Sequence, residues 1–452
     1  MSTVAEVKLW GRTIGAVSLE EGKEVAAFEY DQSFARSGIE IAPLTMPLSD
    51  RVYSFPELSQ ETFHGLPGLL ADSLPDRFGN ALIDAWLATI GRPPESFNAV
   101  ERLCYTGRRG MGALEFEPTK GPKARKATRV QIDKLVELAS DILTHRKNLK
   151  LSFAPQKKEQ ALQEILKVGT SAGGARAKAV IAWNRSTNEV RSGQLTAGEG
   201  FEYWLLKFDG VKGNKDKELE DPKGYGVIEY AYFKMASDVG ITMSECRLFE
   251  ENDRRHFMTR RFDRLDNGEK LHMQSLCALA HYDFNMAGAY AYEQALLAIK
   301  QLGLSMSAVE EQFRRMAFNI ISRNQDDHVK NIAFLMDKSG KWSLSPAFDM
   351  TYSFSSSGKW SLSPAFDMTY SFRPSSKWTG SHQMTMNGKR DNFNLEDFIT
   401  CAKVVSMKRG RARKIVNDVL KAVSHWRDYA DEAGVSPSWR DQIQHTLRLK
   451  GF

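Results

Sequence analysis

The spacing of apolar residues changes along this chain, and each spacing predicts a different kind of element. Near the N-terminus, apolar residues form short runs separated by turn residues, which predicts strands at about 7–10, 13–17 and 25–30. Towards the C-terminus they follow helical spacing, which predicts helices at about 395–406 and 411–430. A β-rich beginning and a helical end indicate an α+β chain.

One polar stretch interrupts the pattern where the neighbouring segments predict buried structure. Helical spacing predicts a helix at about 307–323, and an apolar strand candidate follows at 332–336. Between them, residues 324–331 read NQDDHVKN. These side chains are poor material for a core, but a loop held between a buried helix and a buried strand positions them well. An ordinary polar loop with a helix cap would have the same composition.

Asp326, Asn331 and Asp349 have a spacing that suits phosphoryl transfer. In protein kinases an Asp accepts the proton of the substrate hydroxyl, a following Asn binds Mg2+, and a second metal-binding Asp lies further along the chain. Asn331 follows Asp326 by five residues, and Asp349 follows it by 23 (349 − 326). The downstream Asp favours a phosphotransfer site over an ordinary polar loop.

Two further stretches could contact phosphate groups. Residues 168–181 read VGTSAGGARAKAVI, in which small residues with exposed amides precede Lys178 and a strand. Residues 202–208 predict a strand that carries Lys207 among apolar and aromatic neighbours. In kinases such a lysine contacts the phosphates and pairs with a helix Glu, for which Glu229 is the candidate. A hairpin tip and a lysine that reaches solvent are the ordinary alternatives.

Three other segments indicate turns. Residues 255–264 predict a strand that ends in a charged turn, where a kinase hinge would lie, although an ordinary edge strand reads the same way. The glycines between 107 and 112 favour a close-packed turn over a P-loop, because no Lys-Ser or Lys-Thr follows them. Residues 72–76 predict a helix end and a new helix, with Pro75 in its first turn.

Composition narrows the class of protein. A chain of 452 residues with 42% hydrophobic and 26% charged residues is typical of a globular protein with two or three domains. Four scattered cysteines without a CxxC pair argue against a zinc site or disulfides and favour a reducing cytoplasm. Apolar runs too short to cross a bilayer predict no membrane association. The net charge of +6 is mild, so we expect the basic clusters at 120–129 and 408–414 to be solvated, with nucleic-acid contact as the weaker alternative.

A tandem duplication complicates the candidate metal site. Residues 339–374 contain two consecutive copies of an eighteen-residue segment, identical at sixteen positions. Asp349 and Asp367 therefore have the same local sequence, yet only one can occupy a single metal site. A turn at 337–340 would form a hairpin that puts Asp349 beside Asn331, which favours Asp349 and leaves Asp367 as the alternative.

These motifs resemble the HipA-type serine/threonine kinases, the toxin halves of bacterial HipA–HipB toxin–antitoxin modules. The resemblance runs in order along nearly the full chain: FHGLPGLLADSLPD at 63–76, VGTSAGGARAKAVI at 168–181, WLLKFDG at 204–210, RRFDR at 260–264, NQDDHVKN at 324–331, LSPAFD at 344–349 and HQMTMNGKRDNF at 382–393. It implies a two-lobed, protein-kinase-like (HipA-like) α+β fold with an N-terminal β-rich subdomain and a largely helical C-terminal lobe. The implied domains are an N-terminal subdomain at 1–120, the rest of the N-lobe at 121–262 and a helical C-lobe at 263–452.

The resemblance also implies roles for individual residues. Asp326 would be the catalytic base with His328 close by, and Mg2+ would be held by Asn331 and by Asp349 or Asp367. The residues implied to contact ATP are Ser171, Ala172, Gly173, Gly174, Lys178, Lys207, the backbone from Arg260 to Phe262, His328 and Lys330. Ser171 matches the autophosphorylated serine of the family, with Thr170 as the alternative. A phosphate there would add about −1.5 to −2 charge and expel the loop from an anionic site.

As a function, the resemblance implies an ATP-dependent protein kinase toxin that phosphorylates a translation component, such as an aminoacyl-tRNA synthetase, and its own phosphate loop. Its partner would be a HipB-like helix-turn-helix antitoxin, with operator DNA bound only through that complex. A catalytically silent nucleotide-binding partner in the repressor complex and a small-molecule kinase are the alternatives. Asp327 departs from some members, which have a small residue there, and could alter substrate or metal contacts.

Overall fold

The computed structural model describes residues 2–120, 129–144, 165, 166, 168, 176–211, 224–265, 268–353 and 380–452. The chain divides into two compact units. The first unit comprises Met1–Lys223, Phe249–Gln274 and Leu335–Lys341, and the second unit comprises Gly224–Leu248, Ser275–Phe334 and Trp342–Phe452. These units divide the chain at other places than the three predicted domains, whose boundaries remain a prediction.

A four-stranded antiparallel sheet forms the N-terminal part of the first unit. Its strands are β1 Thr3–Leu9, β2 Arg12–Leu19, β3 Ala27–Tyr30 and β4 Leu114–Glu117, in the order β3-β2-β1-β4. Ala5, Val7 and Leu9 of β1 are buried, as expected for alternate residues of a strand with one face on the core. The three strands predicted near the N-terminus are confirmed.

The first unit contains several helices, one of which begins directly after Asp76. Within the described residues they are α1 Gln32–Ala35, α2 Gln60–Phe63, α3 Gly68–Ala71, α4 Arg77–Thr89, α5 Ala99–Thr106 and α6 Ile132–Thr144. The predicted helix end and restart are confirmed, but the placement of Pro75 in the first turn of α4 is wrong. Asp76 is the N-cap, and its side chain accepts a hydrogen bond from the Gly79 N–H at 2.6 Å. A carboxylate in that position satisfies an N–H group that lacks a helical partner.

A five-stranded sheet contains the two predicted phosphate-binding lysines. Its strands are β5 Lys178–Asn184, β6 Glu189–Ser192, β7 Glu202–Lys207, β8 Cys246–Glu251 and β9 Arg254–Arg260, in the order β6-β5-β7-β9-β8. The antiparallel register places Lys178 opposite Lys207, and Lys207 opposite Phe257. Residues directly opposite each other share a face of the sheet, so these three side chains are cross-strand neighbours.

The second unit is mainly helical. Its described helices are α7 Tyr225–Asp238, α8 Leu276–Ala280, α9 Tyr292–Gln301, α10 Met306–Ser322, α11 Leu395–Val404, α12 Arg411–Ser424, α13 Trp426–Ala433 and α14 Pro437–Thr446. The third described sheet has the order β10-β11-β12 and contains β10 His272–Ser275, β11 Ala333–Met336 and β12 Trp342–Leu344, of which β10 and β11 do not belong wholly to either unit. The hairpin predicted from the turn at 337–340 is therefore confirmed. No described helix could cross a membrane, because none combines sufficient length with sufficient apolar character.

The single helix predicted at 411–430 is wrong, because α12 and α13 divide at His425. This residue has φ −91° and ψ 18°, outside helical values. Trp426, which follows it, is fully buried, and its indole N–H donates to the Arg440 carbonyl at 2.9 Å. The helical spacing of the sequence continues across the break, so burial of Trp426 has overridden local helix propensity.

Candidate active site

The predicted polar loop lies between α10 and β11, and the end of α10 determines where it begins. The buried face of α10 includes Val309, Phe313, Met316 and Ile320. The helix ends at Ser322, and Arg323 adopts a left-handed conformation with φ 62° and donates its N–H to the Asn319 carbonyl. A left-handed residue turns the chain away from the helix axis, so the loop leaves α10 in a defined direction. A short 3-10 turn at Val329–Asn331 then leads into β11.

Ser353 fixes the backbone of this loop at Asp326. The Ser353 Oγ accepts hydrogen bonds from the N–H groups of Gln325 at 2.6 Å and Asp326 at 2.9 Å. The same hydroxyl donates to Asn324 Oδ1 at 3.0 Å. Asn331 Nδ2 donates to the Asp326 carbonyl at 2.9 Å. The Asp326 peptide groups are thus held on both sides, while the carboxylate remains 13% exposed.

His328 and Lys330 lie beside Phe284 in the same unit. His328 Nε2 is 3.7 Å from Asp326 Oδ1, and its ring centroid is 5.4 Å from that of Phe284. The Lys330 ammonium lies 4.7 Å from the centroid of the Phe284 ring, within cation–π range. The structure therefore brings His328 close to the candidate base, while the nucleotide contacts of both residues remain predictions.

Asp327 is fully buried, and its effect on substrate or metal contacts remains a prediction. Its Oδ2 accepts hydrogen bonds at 2.6 Å from the Tyr292 hydroxyl and from His382 Nδ1, and its Oδ1 accepts one at 2.7 Å from the Gln383 N–H. Burial alone would raise the pKa of Asp327, but His382 and these donors outweigh it and lower the pKa below its usual value. Asp327 is therefore a buried anion that anchors the loop.

Asn331 and Asp349 line one cavity of the second unit, with an empty volume of about 340 Å³ that is partly open to solvent. Asn324, Asp327 and His328 also line it, whereas Asp326 does not. Asp349 has a left-handed φ of 52°, and its carbonyl accepts a hydrogen bond from Asn324 Nδ2 at 3.4 Å. The Asn331 amide donates through Nδ2, and among the described residues no donor bonds to its Oδ1. An amide oxygen and a carboxylate at one cavity suit Mg2+.

The metal site predicted from sequence uses one amide and one carboxylate. Among the described residues, no group of three or more His, Cys, Asp or Glu side chains is arranged to hold a metal ion. A site of the predicted kind leaves positions for water and phosphate oxygens, which Mg2+ commonly keeps.

The first copy of the duplicated segment supplies some of the contacts of this loop. Tyr352 accepts a hydrogen bond from the Tyr225 hydroxyl at 2.6 Å through its carbonyl, and Ser353 holds the Asp326 loop. Asp349 belongs to the same copy and lines the cavity. Asp367 lies outside the described residues.

Lys178 and Lys207 are both buried in the first unit. The Lys178 ammonium lies 3.2 Å from Asp76 Oδ2, and the two side chains are 4% and 3% exposed. The Lys207 ammonium lies 5.8 Å from the centroid of the Phe257 ring. The predicted phosphate loop at Ser171–Gly174, with the alternative Thr170, lies outside the described residues. Glu229 is buried in α7 of the second unit, and its pairing with Lys207 remains a prediction.

The charged turn after β9 is buried, and its Asp263 bonds to the glycine turn at 107–112 within the first unit. Both carboxylate oxygens of Asp263 bond to Arg261, and Oδ2 also accepts from Arg264 and from the Gly112 N–H, each at 2.7 Å. Burial alone would raise the pKa of Asp263, but the two arginines hold it well below its usual range. The close-packed glycine turn is confirmed, because a Cβ at Gly112 would lie 3.0 Å from the Met273 nitrogen.

The predicted hinge has one backbone donor already in use. The Arg261 N–H donates to the Tyr203 carbonyl at 2.8 Å, extending the ladder between β7 and β9. The Arg260 guanidinium lies 3.7 Å from Glu202. Adenine contacts by Arg260 and Phe262 remain predictions.

Sequence reasoning did not single out Asp76, Ser353 and His382 for these roles. Each lies in a segment that was noted: the 63–76 motif, the duplicated segment and the 382–393 motif. Their contacts join residues 27 to 102 positions apart along the chain. Local spacing identifies such segments but does not identify their partners.

Comparisons with known proteins agree with the motifs. The model of the HipA N-terminal domain matches residues 5–117, and that of the HipA-like C-terminal domain matches residues 170–358. The second match passes through the first copy of the duplication and ends two residues into the second copy. No curated protein was found to match the chain.

Among solved structures, the chain is similar to HipA of Shewanella oneidensis MR-1, determined with HipB and operator DNA. That similarity has a TM-score of 0.66 at 14% identity and covers 98% of this chain and 96% of the other. The Helicobacter pylori proinflammatory kinase CtkA gives a TM-score of 0.35 at 12% identity over 54% of this chain and 84% of the other, which is too weak to support a conclusion. The predicted HipA-like fold class is confirmed. With both HipA domain models matched in order, the chain belongs to the HipA family.

Proposed function

We propose that this chain is an ATP-dependent serine/threonine protein kinase and the toxin of a HipA–HipB type toxin–antitoxin pair. The observation that supports this most directly is the immobilised loop that carries Asp326. Asn331 belongs to the same loop and shares a cavity with Asp349. Membership of the HipA family also supports a phosphotransfer reaction.

In this proposal Asp326 accepts the proton of the substrate hydroxyl as the oxygen attacks phosphorus. Hydrogen bonds to the flanking peptide groups hold the carboxylate in position, which reduces the entropy cost of aligning the reacting atoms. Asn331 Oδ1 and the Asp349 carboxylate would hold Mg2+, which when bound neutralises charge on the phosphate oxygens. His328, 3.7 Å from Asp326, would help to orient the carboxylate.

The ATP contacts belong to the same proposal. Lys178 and Lys207 would hold phosphate oxygens, together with the Ser171–Gly174 loop, and Lys330 would contact the nucleotide. The two lysines lie opposite each other on neighbouring strands, which supports a shared role in phosphate binding. Ser171, or Thr170 instead, would be the autophosphorylated residue.

The partners proposed here are a HipB-like antitoxin, operator DNA bound through that complex, and a protein substrate among the translation components. The similar S. oneidensis HipA was determined with HipB and operator DNA, which supports the first two. The cytoplasm, where translation and the operator are found, is the proposed location.

The test is the transfer of labelled γ-phosphate from ATP by purified wild type and Asp326→Asn. Removing the base should abolish phosphorylation of the chain itself, and growth inhibition on expression should disappear with it. Asp428→Asn is the matched control, because Asp428 is 78% exposed on α13. If Asp326→Asn retains wild-type phosphorylation, Asp326 is not the base.

The duplication favours one second candidate, a catalytically silent nucleotide-binding partner in a repressor complex. A second copy of the metal-binding segment follows directly after the residues that hold the catalytic loop. Binding of ATP without turnover in Mg2+ or Mn2+ would support this alternative. Incubation of labelled ATP with lysate proteins and with metabolites separates protein phosphorylation from small-molecule phosphorylation.

A further inference from the structure

Residues 446–448 contact residues 320–323, where α10 ends and the catalytic loop begins. The Arg448 N–H donates to the Ile321 carbonyl at 3.0 Å, and Arg448 Nη1 approaches the Ile320 carbonyl at 3.3 Å. Arg323 Nε donates to the Thr446 carbonyl at 2.9 Å. The last carbonyls of a helix lack helical partners, so the C-terminal segment satisfies the end of α10 at the point where the loop begins.

Arg448 also begins a buried chain of hydrogen bonds that ends in the loop. Arg448 Nη1 lies 3.0 Å from His382 Nε2, and His382 Nδ1 lies 2.6 Å from Asp327 Oδ2. A guanidinium can only donate, so His382 Nε2 must accept and His382 Nδ1 must carry the proton that Asp327 accepts. Burial lowers the pKa of His382, in agreement with this neutral tautomer. All three side chains are less than a tenth exposed.

Arg448 and Asp327, the two ends of this series of hydrogen bonds, each make further contacts. Arg448 bonds to Asp391, and its guanidinium lies 5.3 Å from the centroid of the Phe393 ring. Asp327 accepts from the Tyr292 hydroxyl, which in turn accepts from Asn319 Nδ2 at 3.1 Å. This series of hydrogen bonds therefore connects Arg448 to Asp327, the residue next to the candidate base Asp326.

We propose that Arg448 is a positioning residue for phosphoryl transfer, acting through His382 and Asp327 on the loop that carries Asp326. This inference rests on the proposed kinase function and adds to it a role for the C-terminal segment. Asp327 is joined to Asp326 by one peptide bond, so rotation or displacement of Asp327 moves the base. Displacement of a reacting group by about 1 Å is enough to slow catalysis by about 100-fold.

The test compares Arg448→Met with two controls. Methionine keeps the apolar stem and removes every side-chain donor, so it breaks the contact with His382 while the backbone bond to Ile321 and most of the packing volume are retained. Arg448→Lys keeps the charge and a donor but not the planar fork, and it should restore part of the function. Arg427→Met makes the same replacement at an arginine of α13 that is 54% exposed and pairs with Asp441.

For Arg448→Met we expect kcat per folded molecule to fall about 10- to 100-fold, with unchanged Kd for the ATP analogue AMP-PNP. Amide hydrogen exchange over 324–331 should be faster than in wild type. Arg448→Lys should have intermediate values, and Arg427→Met should match wild type in all three measurements. A residue that serves stability alone would change the melting temperature without this set of effects.

The inference is overturned if Arg448→Met lowers the melting temperature but leaves both kcat of the folded fraction and exchange over 324–331 at wild-type values. A failure of the proposed function has a different signature, since wild type would then transfer no phosphate. In that case hydrogen exchange still decides the positioning role, because faster exchange over 324–331 in Arg448→Met supports it and unchanged exchange contradicts it.

Discussion

Asp326 and Asp327 are adjacent acids whose surroundings give them different uses. Asp327 is fully buried, and both of its oxygens accept hydrogen bonds from the second unit. Asp326 is held through its peptide groups and keeps its carboxylate partly exposed. A general base must reach the substrate hydroxyl, so Asp326 is suited to proton transfer and Asp327 to anchoring the loop.

The duplication allows the metal ligand to be tested with a closely matched pair of variants. Asp349→Asn removes a carboxylate from the cavity that it shares with Asn331, and we expect autophosphorylation to fall about 100-fold or more. Asp367→Asn makes the same change in the same local sequence and should leave the rate unchanged. Both rates are measured with labelled ATP at saturating Mg2+. Equal losses in the two variants would contradict the assignment of Asp349.

At the level of elements, Lys178, Lys207 and Asp76 form a buried cluster of charged side chains from two paired strands and one helix N-terminus. The pairing of β5 with β7 places Lys178 opposite Lys207. The N-terminus of α4 supplies Asp76, which caps the helix through Oδ1 and lies against Lys178 through Oδ2. A helix of the HipA N-terminal domain region therefore holds a lysine for which we propose a phosphate contact.

Asp76→Asn separates the ion pair from the helix cap. Asparagine is also a good N-cap, so the helix start should persist while the charge beside Lys178 disappears. Breaking a buried pair leaves an uncompensated charge, and we expect the free energy of unfolding to fall by about 3–5 kcal/mol. The measurement is urea denaturation followed by circular dichroism.

Asp84→Asn is the control on the same helix. Asp84 pairs with Arg102 at 3.3 Å, and both side chains are 18% exposed, so we expect a loss of about 1 kcal/mol or less. If the two variants lose the same stability, the pair of Asp76 and Lys178 contributes no more than a partly exposed one.

At the level of the whole molecule, the duplication gives the chain a second copy of a segment whose first copy contacts the catalytic loop. The described contacts of Asp349, Tyr352 and Ser353 all come from the first copy. The family match also follows the chain through that copy and then ends. We therefore expect the second copy to be dispensable for these contacts.

Deletion of residues 357–374 removes the second copy. We expect phosphotransfer to persist and the free energy of unfolding to change by about 1 kcal/mol or less, because loop-closure entropy grows only slowly with the number of residues. Labelled-phosphate transfer and urea denaturation of the shortened chain measure both quantities. A shortened chain that folds and binds ATP but transfers no phosphate would contradict this expectation.

The sequence by itself determined the elements whose signals are local. Short apolar runs between turn residues predicted the N-terminal strands, helical spacing predicted α10, and turn residues predicted the hairpin that places Asp349 near the loop. The spacing of Asp326, Asn331 and Asp349 singled out the loop because these residues lie close in sequence. The ordered set of motifs also identified the family correctly.

Only the tertiary structure decided which acid faces inward, which residues hold the loop and where the C-terminal helix breaks. Ser353 and His382 reach the loop from 27 and 55 residues away, and Arg448 reaches the end of α10 from 128 residues away. Such contacts depend on burial and hydrogen-bond partners that the fold brings together, and those do not appear in local periodicity. Spacing to Asn331 singled out Asp326 as the candidate base, but only the donors around Asp327 identify its neighbour as the anchor of the loop.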